Sequence, residues 1–201
     1  MDKMEKESET IKELIERLNE ASGKNTDDKI MVSEYQSPLG EMVIASVSEG
    51  ICLLEFNDRI RFEKQFLQLQ RFIDLPFSYE ENFHSQQLKK ELDLYFGKQL
   101  REFSVPLVFT GTEFQQKVFK ALLEIPYGKT VNYKQQSEKL GDVKAIRAVA
   151  TANGSNKIAV VVPCHRVIGS NASLVGYAGG IERKKALLAL EQDTVQTTFE
   201  F

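Results

Sequence analysis

The chain has 201 residues, a length that suits one or two domains, and its 42% hydrophobic content is ordinary for a globular protein. No apolar run approaches the length of a membrane span, and from the polar, acidic start we expect no secretory or transit peptide. Two cysteines, Cys52 and Cys164, cannot build a disulfide framework, so we expect a reduced, cytoplasmic protein. The two histidines, His84 and His165, have no zinc-ligand spacing, and we expect neither a metal nor a cofactor.

Charge is distributed unevenly along the chain, whose net charge is −3. Residues 125–190 hold ten basic and three acidic residues, a net charge of +7, which leaves −10 for the remainder. A polyanion such as nucleic acid could dock on this segment, although a solvated basic face has the same composition. Both interpretations remain open on charge alone.

Residues 1–29 are highly charged and contain one helical signal. Thr10 and Glu13 fit a capping box, followed by apolar residues on one helical face at Ile11, Leu14, Ile15 and Leu18. The run "GKNTDDK" then interrupts the pattern, as a linker does. We expect a helical extension and linker, with no role indicated by the residues.

The next segment, residues 30–110, has the pattern of a small α/β domain. Three β-rich runs, "MVSEY", "EMVIASV" and "GICLLEF", are separated by "SPLG" and "SEG", which predicts an antiparallel meander. Cys52 lies in the third run, where a free cysteine behaves as a small buried hydrophobe. Helices are expected near residues 60–71 and 85–96.

Gly111 marks the expected hinge to a second domain, residues 111–195, with a tail at 196–201. Thr112 and Gln115 form another capping-box pattern. They open a helix with a shared apolar face, which we interpret as core: Phe114, Val118, Phe119 and Leu122.

A pair of short helices follows. Asn132 can cap "YKQQSEKL", Gly141 permits a sharp turn, and "VKAIRAVATAN" predicts a second helix that ends near Asn153. This arrangement matches a helix-turn-helix, although many helical hairpins bind nothing. Small side chains dominate the second helix, with Arg147 as its one long cation after Lys144, so we predict close, sequence-tolerant contact with a DNA groove.

The segment "IAVVVPCHRVIGSN" combines a β-branched run with a thiol, an imidazole and a guanidinium. Cys164 needs a base to become a nucleophilic thiolate, and His165 is the obvious candidate. Neighbouring side chains in an extended segment point apart, so a water would connect the two, and Glu191 is available to hold the imidazole. The alternative is a buried structural cysteine; Pro163 and Arg166 argue against it, since a guanidinium is awkward in an apolar interior.

Several motifs in order resemble one family over roughly residues 31–191: "SPLGEMVIA", "GTEFQQKVF", "IPYGKTVNY", "KAIRAVATANGSN", "PCHRVI" and "GYAGGIERKKALLALE". This is the O6-alkylguanine-DNA alkyltransferase (methylated-DNA–protein-cysteine methyltransferase) family. The resemblance implies an α+β fold, with an N-terminal ribonuclease-H-like α/β roll and a C-terminal helical domain holding a winged-helix-like helix-turn-helix. It also implies a monomer that flips a nucleotide out of duplex DNA. The alkyl group of O6-alkylguanine, or of O4-alkylthymine, would pass irreversibly to Cys164, once per molecule.

The same resemblance implies the catalytic residues. Cys164 would accept the alkyl group, His165 would act through a water, Glu191 would orient His165, and Asn156 would brace the turn before the cysteine. The family often has glycine and proline where this chain has Ala150 and Lys157, which puts efficiency in question.

DNA contact and the substrate pocket are also implied by the resemblance. Arg147 would be the finger that fills the gap left by the flipped nucleotide, and Tyr133 would crowd the phosphate and steady the base. The remaining DNA contacts would come from Lys144, Ala145, Ala148 and Thr151. The pocket would comprise Tyr133, Asn153, Val167, Tyr177 and Ala178, whose backbone N–H would meet the guanine O6.

Two other classes of function compete with this reading. A DNA-binding lesion sensor or transcription regulator would use the helix-turn-helix without alkyl transfer, but sensor relatives lack the acceptor cysteine that Cys164 supplies. A cysteine hydrolase would turn over repeatedly and would give Arg147 and the basic segment no purpose.

Overall fold

The computed structural model describes residues 10–24, 26–57, 59–171 and 173–192. The first nine residues of the predicted extension and the predicted tail lie outside this part of the chain. Helix α1 (Ile11–Ser22) begins at the predicted capping box. Its apolar face packs into the same core cluster as the sheet residues Val32 and Val43, so the extension is joined to the domain that follows it.

The predicted meander is present. β1 (Ile30–Ser37), β2 (Gly40–Val47) and β3 (Gly50–Phe56) pair antiparallel in sequence order. A fourth strand, β4 (Phe77–Tyr79), pairs parallel with β1, so the expectation of a purely antiparallel sheet is wrong and the sheet is mixed. The helix between β3 and β4 carries the chain back across the sheet, which brings β4 in alongside β1 in the same direction.

Helices cover both faces of the sheet and account for its burial. Those after β3 are α2 (Arg59–Ile73) and α3 (Phe83–Phe96), close to the predicted ranges. Cys52 is buried in β3 with its Sγ 3.3 Å from the Ala45 carbonyl oxygen, and burial raises its pKa to about 12. It therefore remains a protonated core thiol at neutral pH, as interpreted from the sequence.

The remaining elements form the helical half, in the order α4 (Glu113–Leu123), β5 (Val131–Asn132), α5 (Tyr133–Lys139), a 3₁₀ turn (Val143–Ala145), α6 (Ile146–Asn153), a 3₁₀ turn (Cys164–Arg166), β6 (Val167–Ile168) and α7 (Ile181–Gln192). The capping boxes at Thr112 and Asn132 are both formed. Phe114 is 40% exposed, so its assignment to the core was wrong. It lies in the first turn of α4, which projects beyond the core that covers Phe119 and Leu122.

The two halves share a core and a backbone junction. Leu54 of β3 donates its N–H to the Lys157 carbonyl (2.8 Å) and accepts from the Ala159 N–H (2.7 Å). One apolar cluster contains Leu54 of the sheet together with Phe119 of α4 and Val162 before the cysteine. The segment leading to Cys164 is thus anchored on the N-terminal sheet. The proposed division at Gly111 (φ 132°) stays a prediction.

Candidate active site and nucleic-acid interface

Cys164 opens onto a cavity of about 340 Å³. Four of the five residues predicted for the substrate pocket lie in its lining, which is formed by Tyr133, Ala150, Asn153, Gly154, Gly176, Tyr177 and Ala178. The fifth, Val167, is completely buried in the main core cluster and does not reach the cavity. Asn153 is held in place by paired amide hydrogen bonds with Gln136, at 2.7 and 3.1 Å.

The turn that carries Cys164 is held by Asn156. The Asn156 Nδ2 donates to the Val162 carbonyl (2.9 Å) and lies 3.2 Å from the Cys164 Sγ, while its Oδ1 accepts from the Ile158 N–H (3.0 Å). Burial raises the pKa of Cys164 to about 11, against the opposing effect of the Asn156 hydrogen bond. The resting thiol is therefore protonated at neutral pH, and its reaction requires a base.

His165 has one ring nitrogen engaged and one directed elsewhere. Nε2 lies 2.8 Å from the Glu191 Oε1, whereas Nδ1 is buried without a hydrogen-bond partner among the described residues. Burial lowers the pKa of His165, opposed by its hydrogen bond to Glu191, so the imidazole is neutral at pH 7. Because an ionised carboxylate only accepts hydrogen bonds, we assign the proton to Nε2 and a free lone pair to Nδ1.

Glu191 is completely buried and accepts hydrogen bonds from several directions. Besides His165, its donors are Arg166 (Nε and Nη2, both 3.0 Å), the Tyr95 hydroxyl (2.8 Å) and the Gly128 N–H (3.1 Å). Burial alone would raise the pKa of Glu191, but the hydrogen bonds from His165 and Arg166 and the positive charge of Arg166 lower it to about 2. The carboxylate is thus ionised and holds the His165 ring in one orientation.

Arg166 is buried, contrary to the expectation from the sequence that its guanidinium would keep this segment out of the interior. Its guanidinium is buried, at 6% exposure, and is accommodated because it pairs with Glu191 and donates to the Ile125 carbonyl (2.6 Å). Arg166 and Tyr95 were missed as members of this network. The adjacency of Arg166 to His165 was a usable signal, whereas Tyr95 lies in the other half of the chain and no motif pointed to it.

Two adjacent basic residues at the start of α7, also missed, hold the loop that forms one cavity wall. Lys184 is fully buried, and its Nζ donates to the carbonyls of Val167 (2.6 Å) and Val175 (2.8 Å). Arg183 donates to the carbonyls of Gly179 (3.1 Å) and Leu39 (3.0 Å). The loop is therefore fastened to the acceptor segment at one end and to the N-terminal sheet at the other.

Close packing behind the tyrosine wall requires a glycine. A Cβ on Gly179 would lie 2.8 Å from the Tyr177 ring and 2.9 Å from the Phe56 ring. The Arg183 guanidinium lies 4.2 Å above that Phe56 ring, close enough for a cation–π contact. Across the cavity, the Tyr133 hydroxyl is 3.5 Å from the Val175 carbonyl oxygen, and burial raises the pKa of both tyrosines. Both phenols are therefore protonated at neutral pH.

The second helix of the predicted helix-turn-helix exposes the expected face. It consists of a 3₁₀ turn followed by α6, and its opposite side packs Val149 and Ala152 against Val118 of α4. The predicted DNA contacts at helical spacing are solvent-exposed: Lys144, Arg147, Ala148 and Thr151. Ala145 is half-buried at the turn. Small side chains thus give a partner access to the helix backbone, beside the cavity mouth.

Among the residues that the structure describes, no three His, Cys, Asp or Glu side chains come together as a possible metal site. No helix in the described ranges is long and apolar enough to cross a membrane.

Comparison with known protein families identifies both halves. Residues 30–109 match the ribonuclease-like domain of 6-O-methylguanine DNA methyltransferase, and residues 113–193 match its DNA binding domain. The chain belongs to this family. A methylated-DNA–protein-cysteine methyltransferase of Methanosarcina acetivorans is 40% identical, over 78% of this chain and 95% of the relative. A Mycobacterium leprae protein of the same description is 42% identical, over 81% and 92%.

Solved structures of the family have the same fold. The Mycobacterium tuberculosis O6-methylguanine methyltransferase superposes with a TM-score of 0.69 at 37% identity, covering 83% of this chain and 93% of that one. The Mycobacterium tuberculosis OGT in complex with DNA gives a TM-score of 0.71 at 39% identity, over 82% and 94%. The predicted α+β architecture, with a ribonuclease-like half and a helical DNA-binding half, is confirmed.

Proposed function

We propose that this protein repairs DNA by transferring the alkyl group of O6-alkylguanine, and of O4-alkylthymine, in duplex DNA irreversibly to its own Cys164. The observation that carries the proposal is the position of the Cys164 sulfur, in a cavity between two tyrosines and beside the exposed face of α6. Family membership and the DNA-bound relative support the same activity.

The substrate base must leave the double helix to reach the sulfur. Extrusion of a nucleotide costs a few kcal/mol because stacking and pairing are lost. Arg147, exposed on α6, is suited to fill the space left in the stack, and the small neighbours Ala148 and Ala145 permit close approach to the groove. Tyr133 at the cavity wall would steady the extruded base.

The transfer step follows from the protonation states at the site. A water links the Cys164 thiol to the free lone pair of His165 Nδ1, and the imidazole takes up the thiol proton while Glu191 stabilises the resulting charge. The sulfur then forms a bond to the alkyl carbon as the bond from that carbon to the guanine O6 breaks. The electron pair goes to O6, which accepts a hydrogen bond from the Ala178 N–H. The proton held by the His165 imidazole is finally passed to the guanine, so the products are guanine and an S-alkylcysteine.

The product explains why no turnover is expected. A thioether offers no good leaving group to water, so each molecule reacts once. A lesion sensor or regulator would not need a nucleophile inside the cavity, and a hydrolase would release its acyl group. We further propose that the protein is a cytoplasmic monomer; its two separate free cysteines agree with a reducing compartment.

Intact-mass analysis tests the proposal. The wild-type protein, incubated with a duplex that carries O6-methylguanine, should gain one methyl group per molecule. Cys164→Ser should gain none, while Cys52→Ala, which removes the other buried thiol, should react like the wild type. Repeated turnover by unmodified protein, or a methyl group on another residue, would contradict the mechanism.

A further inference from the structure

A second cavity, of about 440 Å³, lies next to the acceptor cavity, between α2 and the segment that follows α6. Gly154 and Ala178 line both cavities, so the two share a rim. The walls of this α2 cleft carry polar side chains: Lys64, Gln65 and Gln68 on α2, and Thr151, Ser155 and Lys157 on the other side. The cleft is thus a polar extension of the site where the extruded base is proposed to lie.

The charge of the α2 cleft differs from that of the whole chain. Its lining contains two lysines and no carboxylate, although the chain has a net charge of −3. Lys64 belongs to α2, outside the basic segment 125–190, whereas Lys157 belongs to that segment. The two halves of the chain thus each contribute one ammonium group to the lining of the cleft.

The two lysines of the α2 cleft have different environments. Lys157 is 9% exposed, burial lowers its pKa, and its amine lies 5.6 Å from the centre of the Phe72 ring of α2. It holds the two walls together. Lys64 is exposed and available to a ligand. Gln65 is directed inward, where its Nε2 donates to the Glu55 carboxylate (3.2 Å) and leaves Lys64 and Gln68 at the open side.

The cleft also continues the exposed face of α6. Thr151 belongs both to that face and to the cleft lining. Arg147, Thr151 and Gly154 follow one another at helical spacing along α6 and its C-cap, and Gly154 lines both cavities. This order favours a path in which a DNA strand that crosses α6 at Arg147 and delivers one base to Cys164 carries its backbone past Gly154. Amide, hydroxyl and ammonium donors are the groups that bind phosphate oxygens.

We propose that the α2 cleft binds the sugar–phosphate backbone next to the extruded nucleotide, so that Lys64 and Gln68 of the N-terminal half take part in DNA binding. This inference rests on the proposed function, because the extruded nucleotide places the backbone at the rim of the cleft. It makes the ribonuclease-like half a second DNA contact rather than a support for the first.

The test is the salt dependence of binding to an undamaged duplex and to one with O6-methylguanine. Lys64→Ala should weaken binding to the O6-methylguanine duplex by roughly fivefold and reduce its slope of log K against log salt by about 1, the value for one lost phosphate contact. Binding to the undamaged duplex should weaken less, because the contact depends on the extruded nucleotide. Lys64→Arg, which keeps the charge, should retain most of the slope. Gln68→Ala should weaken binding less and leave the slope unchanged, and Lys90→Ala on α3 serves as the matched control.

Free O6-benzylguanine separates this proposal from the proposed function. Its reaction with Cys164 needs no backbone contact, so Lys64→Ala should react at the wild-type rate. If Lys64→Ala keeps the wild-type affinity and salt slope, the cleft proposal is wrong, even if the wild type still transfers the methyl group. Slower reaction of Lys64→Ala with free O6-benzylguanine would also contradict the cleft proposal. Absence of any adduct in the wild type would instead refute the proposed function, and the slope would still report on the cleft.

Discussion

The exposed face of α6 and the buried carboxylate of Glu191 lie in the same half of the molecule but have opposite environments. On α6, Arg147 and Thr151 are solvent-exposed and have small neighbouring side chains. At Glu191, a carboxylate, a guanidinium and an imidazole are buried together and bonded to one another. Inspection of DNA of any sequence requires contacts that do not depend on the identity of the bases. Transfer of an alkyl group requires fixed protonation states, which burial provides.

The largest effect on stability is expected when the buried network around Glu191 is disrupted. Arg166→Met removes the main cation beside Glu191 and leaves a buried carboxylate without its charge partner, which should destabilise the protein by about 3–5 kcal/mol. Urea unfolding measures this loss. Arg147→Met on the exposed face should change the free energy of unfolding by less than about 0.5 kcal/mol. Similar losses in the two variants would show that the guanidinium of Arg166 is not held as described.

Acid should lower the free energy of unfolding in a defined pH window, because the buried network around Glu191 depends on its ionised carboxylate. The pKa of Glu191 is about 2 in the folded protein against 4.5 ordinarily, so its contribution is complete above pH 4.5 and is lost as the pH falls from there towards 2. The shift corresponds to about 3 kcal/mol. His165, whose pKa burial lowers from 6.5, adds a loss that begins below pH 6.5, because the unfolded chain takes up the proton first.

Urea unfolding across the acid range tests this dependence. Glu191→Gln should be less stable than the wild type near neutral pH and should lose less stability on acidification. Glu182→Gln, on the exposed first turn of α7, should follow the wild-type curve. Parallel curves for Glu191→Gln and the wild type would mean that Glu191 does not cause the acid sensitivity.

The smallest of the three effects concerns Arg147 on the exposed face of α6. Arg147→Ala should slow methyl transfer from duplex DNA by roughly 10- to 100-fold, since part of the few kcal/mol needed for extrusion is no longer offset. Reaction with free O6-benzylguanine should be unchanged because that substrate is not extruded. Single-turnover rates on both substrates measure the difference, with Lys185→Ala on α7 as a control. Equal slowing on both substrates would remove the finger role.

Local signals in the sequence were sufficient for the elements. Capping boxes at Thr10, Thr112 and Asn132 each satisfy backbone donors within four residues, so they form wherever the helix lies. The three-strand meander follows equally from short turns between β-rich runs. Ordered motifs around Cys164 identified the family and the helix-turn-helix.

Contacts between distant parts of the chain were decided by the tertiary structure. The pairing of β4 with β1 depends on how α2 crosses the sheet, and the exposure of Phe114 depends on where the core ends. Tyr95 reaches Glu191 across 96 residues of sequence, and no periodicity encodes such a contact. The same holds for Arg183, which bonds to the Leu39 carbonyl of the other half.

By itself, then, the sequence determined the helices, the meander, the motif that contains Cys164 and the basic character of the segment around it, because these depend on neighbours within a few residues. Only the tertiary structure decided that Arg166 is buried, that Val167 is excluded from the cavity and that Lys64 stands across a cleft from Thr151. Burial and charge pairing are properties of the packed molecule, since they depend on which surfaces meet when the two halves share one core.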